Sequence, residues 1–272
     1  MPELPEVKTI INVLKPYIVG RTITGVIVNN NSVIARPLPS GFAECLNGKT
    51  FSDISRRGKF LRFHFTGGDT LVLHLRMTGC LTVEDKTAPQ DKHTHLVFTF
   101  DDGKELRYED IRRFGRFWYI EKGIKDSFSG IDKLGVEPTD ISFDYLKSKF
   151  SGSGKTIKEL LLEQSIIAGI GNIYSDEICF RAKLLSDKKG KTLTDDELSR
   201  LCSAIPETIT YFVKQNQISF EDYLNTKGKE YRNTPFLQVY GRSKQPCPIC
   251  NTILVGKTIG GRSCVYCPNC QN

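Results

Sequence analysis

Residues 247 to 270 read Cys247-Pro-Ile-Cys250-Asn-Thr-Ile-Leu-Val-Gly-Lys-Thr-Ile-Gly-Gly-Arg-Ser-Cys264-Val-Tyr-Cys267-Pro-Asn-Cys270. Two Cys-x2-Cys pairs stand sixteen residues apart, and four thiolates so arranged can surround one Zn²⁺ tetrahedrally. From Ile253 to Tyr266 apolar residues alternate about Gly260-Gly261, the pattern of a β-hairpin. The stretch is therefore expected to be a zinc ribbon with one structural Zn²⁺ on Cys247, Cys250, Cys267 and Cys270. Cys264 breaks the spacing and is expected on the hairpin rather than on the metal. A closed site of four thiolates leaves no open coordination position, so the zinc should hold the fold and take no part in chemistry.

The chain around it has 272 residues, long enough for two domains plus a small module. It has nine cysteines; the four outside this segment, Cys45, Cys80, Cys179 and Cys202, are scattered. An odd count with such clustering argues for metal and against a disulfide framework. The net charge of +7 favours a polyanionic partner. Its placement says more than its size. From Tyr231 to Asn272 stand Arg232, Arg242, Lys244, Lys257 and Arg262, with no acidic residue, and a cationic hairpin of this kind suits phosphate contact. No run of about 18 apolar residues exists, so no membrane span is expected. The start, Met1-Pro-Glu-Leu-Pro-Glu, lacks a signal peptide's apolar core, and a cytoplasmic location is expected.

Periodicity divides the rest. Residues 3 to 15 carry Val7, Ile10, Ile11 and Leu14 at helical spacing behind Pro5. From about 21 to 120 short apolar runs predict strands, among them Thr22–Val28, Lys59–Phe65, Thr70–Leu75, His95–Phe100 and Phe117–Ile120. Turn signals such as Asn47-Gly48, Gly67-Gly68 and Asp102-Gly103 separate them. This predicts an antiparallel β-sandwich. Beyond residue 135, Phe143–Phe150, Thr156–Gln164, Asn172–Ala182 and Asp195–Gln215 read as helices, with Asn172 as an N-cap. Residues 216 to 236 read as a long loop. The fold class is α+β, with expected domains at 1–134 (β-sandwich), 135–237 (helical) and 238–272 (zinc ribbon).

Two glycine motifs carry no nucleotide signal. Gly154-Lys155-Thr156 lacks the first P-loop glycine, because Lys149 stands there, and Tyr174 takes the third glycine's place after Gly169-Ile-Gly171. His93 and His95 lie two apart beside a strand, where hydrogen bonding within the fold is a commoner role than metal binding.

Pro2 is a candidate nucleophile. A small second residue permits removal of Met1, which leaves Pro2 as a free secondary amine. An α-amino group has a pKa near 8, against about 10.4 for lysine, so more of it is neutral at pH 7. Its attack on an aldehyde-like carbon gives an iminium, which draws electrons for elimination at the next carbon. Glu3 stands beside it to move protons, with Glu6 a turn further along.

These features join a wider resemblance. Met1-Pro-Glu-Leu-Pro-Glu-Val7, Ser55-Arg-Arg-Gly-Lys59, His74-Leu-Arg-Met77-Thr-Gly79, Lys92-His-Thr-His95, Asp110-Ile-Arg112-Arg-Phe114-Gly115, Gly169-Ile-Gly-Asn172-Ile-Tyr174 and Leu237-Gln-Val-Tyr240-Gly241 occur in this order, followed by the four cysteines. Together they resemble the formamidopyrimidine-DNA glycosylases, base-excision enzymes that remove oxidised purines. The resemblance implies a helix–two-turn–helix motif in the helical domain. It also implies a monomer acting on double-stranded DNA with oxidised bases or abasic sites. It makes Pro2 the nucleophile at C1′, Glu3 the acid/base group and Glu6 its support. Lys59 and Arg262 would grip phosphates, and His93 and Asn172 would contact DNA. Met77, Arg112 and Phe114 would enter the duplex where the damaged nucleotide leaves it; as isolated apolar residues, Met77 and Phe114 would otherwise read as core.

Three positions depart from the family pattern. Lys8 stands where Glu is usual, and Glu159 where Pro is usual. The segment Asn225 to Pro235, matching the loop over the flipped base, keeps one glycine where two are usual. At this stage two alternatives stand beside this reading: an endonuclease VIII-like glycosylase for oxidised pyrimidines, and a non-catalytic zinc-ribbon protein that binds damaged DNA.

Overall fold

A computed structural model of the chain describes residues 2–226 and 233–272. It is an α+β fold of two compact units. The first holds residue 2 and residues 6–132 and 217–226; the second holds residues 3–5, 133–216 and 233–272.

Helix α1 (Leu4–Ile18) belongs to the first unit from Glu6 onward and ends just beyond Pro16. Then come β1 (Ile23–Val28), β2 (Ile34–Arg36), the short α2 (Phe42–Leu46), β3 (Phe51–Arg57), β4 (Phe60–Phe65), β5 (Thr70–His74), β6 (Gly79–Asp85), β7 (Thr94–Phe100), β8 (Lys104–Asp110) and β9 (Arg116–Ile120). The strands form two sheets, ordered β1-β7-β8-β6 and β2-β9-β5-β4-β3. All pairs are antiparallel except the short β2, which runs parallel to β9, a departure from the purely antiparallel sandwich expected. The core takes Val7, Ile10, Ile11 and Leu14 from α1 and the inward residues of the sheets, including Phe51, Phe63, Phe98 and Phe117. Each such side chain, fully buried, stabilises the fold by about 1.5–3 kcal/mol.

In the second unit lie α3 (Phe143–Phe150), α4 (Ile157–Leu162), α5 (Asn172–Ala182) and α6 (Asp195–Gln215). Thr156 and Thr194 cap α4 and α6 through capping boxes with Glu159 and Glu197. This accounts locally for Glu159, since a carboxylate at that position closes the box. Lys155, the lysine of the P-loop-like stretch, pairs instead with Glu163 at 2.5 Å.

The expected loop at 216–236 is partly helical. Ser219 accepts the Asp222 N–H and starts α7 (Phe220–Asn225), which belongs to the first unit. Tyr223 joins the sandwich core and donates its hydroxyl to the Leu81 carbonyl. Six residues are too few for a helical period to register in the sequence. Most of the atypical 225–235 segment, residues 227–232, lies outside the described residues. The chain ends in the hairpin β10 (Val255–Ile259) and β11 (Arg262–Tyr266). Among the described residues no helix is long and apolar enough to cross a membrane.

Candidate active site and metal centre

In the second unit, α5 carries Asn172 and receives Glu3 at its N-terminus. Gly171, not Asn172, is its N-cap, and no capping side chain comes from the cap itself. The cap comes from Glu3, 2 % exposed. Its Oε2 accepts the N–H of Gly171 at 2.7 Å and of Tyr174 at 3.3 Å, and its Oε1 accepts Ile173 N–H at 2.9 Å. A carboxylate here satisfies unpaired helix donors and meets the positive end of the helix dipole. The glycine motif follows from this seating. A Cβ on Gly171 would lie 2.4 Å from Glu3 Cδ. Gly169, at φ +90, faces Leu4, whose N–H bonds the Gly169 carbonyl at 3.1 Å. The Gly-Ile-Gly run thus serves the chain's own N-terminal residues.

Asn172 is the first helical residue, and its Nδ2 donates to Ser263 Oγ at 3.1 Å. Ser263 is the neighbour of Arg262, which stands exposed just after the Gly260-Gly261 turn. Both glycines have positive φ, +53 and +72, as a two-residue hairpin turn of this kind requires. Two further side chains of α5 fix the same module, and neither was signalled by a motif. Asp176 Oδ2 accepts the Val265 N–H at 3.0 Å while its Oδ1 meets Lys158 Nζ at 2.5 Å, with both side chains 0 % exposed. Glu177 accepts the N–H groups of Gln238, Val239 and Tyr240 at 2.9–3.1 Å. Two acids in the otherwise buried middle of a helix were the available sequence signal.

The four cysteines converge. Cys247 and Cys270 sulfurs lie 3.9 Å apart, Cys250 and Cys267 3.5 Å, and Cys250 and Cys270 3.4 Å. Zn–S bonds of about 2.3 Å in a tetrahedron imply S···S edges of about 3.8 Å. All four sulfurs lie within 4.8 Å of one another, and among the described residues this is the one such cluster able to hold a metal ion. Cys264 is buried on the hairpin, outside that set.

In the first unit, Pro2, Glu6 and Lys59 are buried. The His74 imidazole is pushed down to about 3, first by burial and then by the positive charges of Arg76 and Lys59. It is neutral at ordinary pH, and its Nδ1 accepts the Arg76 N–H at 3.0 Å. His93 Nδ1 pairs with Asp91 at 2.9 Å, and His95 Nε2 donates to the Asp110 carbonyl at 2.8 Å, so the two histidines hold separate partners. Met77 is 46 % exposed and Phe114 48 %, which rules out core packing for either. The Arg112 guanidinium lies 4.9 Å from the Phe114 ring centre. Arg76 and Arg113 both adopt φ +56, a left-handed conformation that costs about 1–2 kcal/mol per non-glycine residue.

Family models match over most of the chain. Residues 1–117 match the formamidopyrimidine-DNA glycosylase N-terminal domain, and residues 134–223 match the H2TH domain of the same enzymes. The chain belongs to the formamidopyrimidine-DNA glycosylase family. A formamidopyrimidine-DNA glycosylase of Pelotomaculum thermopropionicum is 40% identical over 100% of this chain and 99% of its own, and one of Brevibacillus brevis is 41% identical with the same coverage. Among solved structures, Lactococcus lactis Fpg bound to a FAPY-dG-containing DNA superposes with a TM-score of 0.90 at 32% identity, covering 99% of this chain and 100% of that one. The Lactococcus enzyme bound to abasic-site DNA gives 0.91 at 33%, covering 99% of each chain.

Proposed function

We infer that this member of the formamidopyrimidine-DNA glycosylase family is a bifunctional DNA glycosylase and abasic-site lyase of base excision repair. Its substrate is double-stranded DNA containing formamidopyrimidines, 8-oxoguanine or abasic sites. The observation that carries the reading is the seat of Glu3. Three backbone N–H groups fix the residue that follows Pro2, so the amine left by Met1 removal has a defined position without ordering cost at the moment of reaction.

The chemistry then runs as follows. The Pro2 nitrogen attacks C1′ of the extruded nucleotide and the bond to the base breaks. The sugar ring opens at C1′–O4′, leaving an iminium at C1′ and a hydroxyl at C4′. Loss of a C2′ proton expels the 3′ phosphate, and a second elimination expels the 5′ phosphate; water then frees Pro2. Glu3 moves the protons and Glu6 supports it. Lys59 and Arg262 bind the phosphates around the lesion. His93 and Asn172 contact the backbone; turning the Asn172 amide over would let Ser263 donate to Oδ1 and present Nδ2 to a phosphate. Met77, Arg112 and Phe114 fill the place the nucleotide leaves, with Arg112 hydrogen-bonding the orphaned base.

The sulfur distances suit one structural Zn²⁺ on Cys247, Cys250, Cys267 and Cys270. That ion would hold the ribbon and take no part in the eliminations. On this reading the sandwich (1–134), the helical domain (135–237) and the ribbon (238–272) share a single DNA substrate. The protein acts as a monomer in the cytoplasm.

Borohydride reduction during reaction with abasic-site duplex should trap a covalent protein–DNA adduct through Pro2. Pro2→Gly should lose the elimination steps sharply and still bind duplex. No adduct from protein with a processed N-terminus, or wild-type rates in Pro2→Gly, would sink the assignment.

A further inference from the structure

We propose that Asp110 is a positioning residue that locks Met77, Arg112 and Phe114 into a single rigid wedge; this deepens the DNA-glycosylase reading and depends on it. The wedge residues come from two loops. Residues 75–78 connect β5 to β6, and residues 111–115 connect β8 to β9. In each case the chain leaves one sheet of the sandwich and enters the other. Strand pairing brings the ends of the two crossovers together, His74 opposite Arg116 and Gly79 opposite Asp110. The ladders stop there, so the arrangement of the residues between them must come from side chains.

Asp110 supplies that tie. It ends β8 and is 1 % exposed. Its Oδ1 accepts the Thr78 hydroxyl, next to Met77, and the Arg112 N–H at 3.2 Å. Its Oδ2 accepts the Gly115 N–H at 2.9 Å, next to Phe114, and the Tyr108 hydroxyl at 2.9 Å. Thr78 Oγ1 also accepts the Arg112 N–H at 3.2 Å, which closes the link between the loops. An ionised carboxylate offers about four acceptor sites, and four donors converge on this one. Burial acts to raise its pKa, but the bonds from Thr78, Gly115, Tyr108 and Arg112 bring it below the ordinary aspartate value, so Asp110 is an acceptor and not a proton donor.

The main chain of Asp110 is held as well. Its N–H bonds the His93 carbonyl at 3.1 Å, and its carbonyl accepts from His95 at 2.8 Å and from Arg113 at 3.2 Å. The packing leaves no slack: a Cβ on Gly115 would lie 1.8 Å from the Tyr108 hydroxyl, and one on Gly79 2.9 Å from it. Each loop also contains a left-handed arginine, Arg76 or Arg113, a conformation that persists only where the surroundings impose it. The outcome is a rigid base from which half-exposed Met77 and Phe114 project, with Arg112 against Phe114. A wedge replaces a stacked nucleotide only if its parts enter together, so preorganisation here lowers the cost of extrusion.

The test compares two substrates. In Asp110→Asn the side chain keeps its shape, but the amide must turn its N–H₂ toward one donor pair, which releases one loop. Single-turnover excision of 8-oxoguanine from fully paired duplex should fall about 100-fold. Cleavage at a preformed abasic site, where no base is extruded, should fall less than about 3-fold. Thr78→Val removes the hydroxyl's bonds to Asp110 and to the Arg112 N–H but leaves Asp110 its bonds to Arg112, Gly115 and Tyr108. It should show the same selectivity with a smaller loss. It provides the measurement if Asp110→Asn does not fold. A 2-aminopurine placed beside the lesion should brighten on wild-type binding and stay quenched with either variant. Equal losses on both substrates, or no loss on paired duplex, would overturn the proposal. A wild-type protein that neither excises nor forms a borohydride adduct would instead remove the glycosylase reading itself.

Discussion

Glu3 Oε2 lies 2.7 Å from the Gly171 backbone nitrogen, and a single methyl group on Gly171 would come within 2.4 Å of the Glu3 carboxyl carbon. The acid of the N-terminal motif and the glycine of the Gly-Ile-Gly motif, 168 residues apart in sequence, thus form one object. Gly171→Ala should expel the carboxylate from the helix terminus, and with it the fixed geometry next to Pro2. A displacement of about 1 Å can cost about 100-fold in rate, so adduct formation with abasic DNA should fall by roughly that factor. Stability should fall by about 1–3 kcal/mol as helix donors lose their acceptor. Stopped-flow trapping and urea denaturation measure the two effects separately. Trapping at the wild-type rate would show that Glu3 has no positioning role.

The buried pair Lys158–Asp176 makes a second, purely energetic prediction. Both side chains are wholly enclosed, and Asp176 also holds Val265 of the hairpin. Removing one partner leaves the other charge stranded in the interior. Asp176→Leu should therefore destabilise by about 3–5 kcal/mol. Adding Lys158→Met removes the stranded charge, and the double variant should recover most of that loss. The Val265 N–H stays unpaired in both, so the double variant should still show weaker DNA binding through Arg262. Denaturation midpoints of the four proteins complete the cycle. Additive losses in the double variant would contradict the coupling.

The contrast between Asp176 and the cysteines shows what the sequence makes legible. Spacing alone located the four sulfurs, because tetrahedral ligation imposes a rule on neighbours in the chain. Helix α6 was readable to the residue because its apolar period is local and long. Helix α5 is buried on nearly every side and has no such period, and the glycine turn before it marked its start. Asn172 was misread as a cap because the N-cap is Gly171 and the capping carboxylate, that of Glu3, comes from the far end of the chain, a contact that no local rule reports. Helix α7 escaped because six residues carry too little periodicity. Asp110 stood inside a recognised motif, yet its role depends on Thr78 and Gly115 arriving from two different crossovers. Long-range polar contacts of this kind have no period and no spacing.

Metal removal should act on the ribbon before the rest. The unit around the sulfurs has a small core of its own, with Phe180, Val239, Leu254 and Val265. A cluster this small gains much of its stability from a metal that ties its four corners. Titration with a mercurial should release one Zn²⁺ per chain, and duplex affinity should fall at least about 10-fold as the Arg262 hairpin loosens. The sandwich, with a separate core, should keep its thermal transition. A metal content of zero in freshly purified, active protein would remove zinc from the account.

Acid stability should carry the signature of His74. Its folded-state pKa of about 3 lies below the unfolded value of about 6.5, because burial and the charges of Arg76 and Lys59 disfavour the imidazolium. The unfolded chain therefore binds a proton that the folded chain refuses. The contribution is fully present above about pH 6.5 and is lost as the pH falls toward the folded value, at about 1.4 kcal/mol per pH unit. His74→Asn places an acceptor oxygen near the position of Nδ1, opposite the Arg76 N–H, and has no proton to refuse. Between about pH 5 and pH 6, above the range where most carboxylates titrate, the wild type should lose stability with falling pH faster than His74→Asn by close to that slope. Urea midpoints at four pH values decide the matter: parallel curves for the two proteins would mean that His74 is protonated in the folded state.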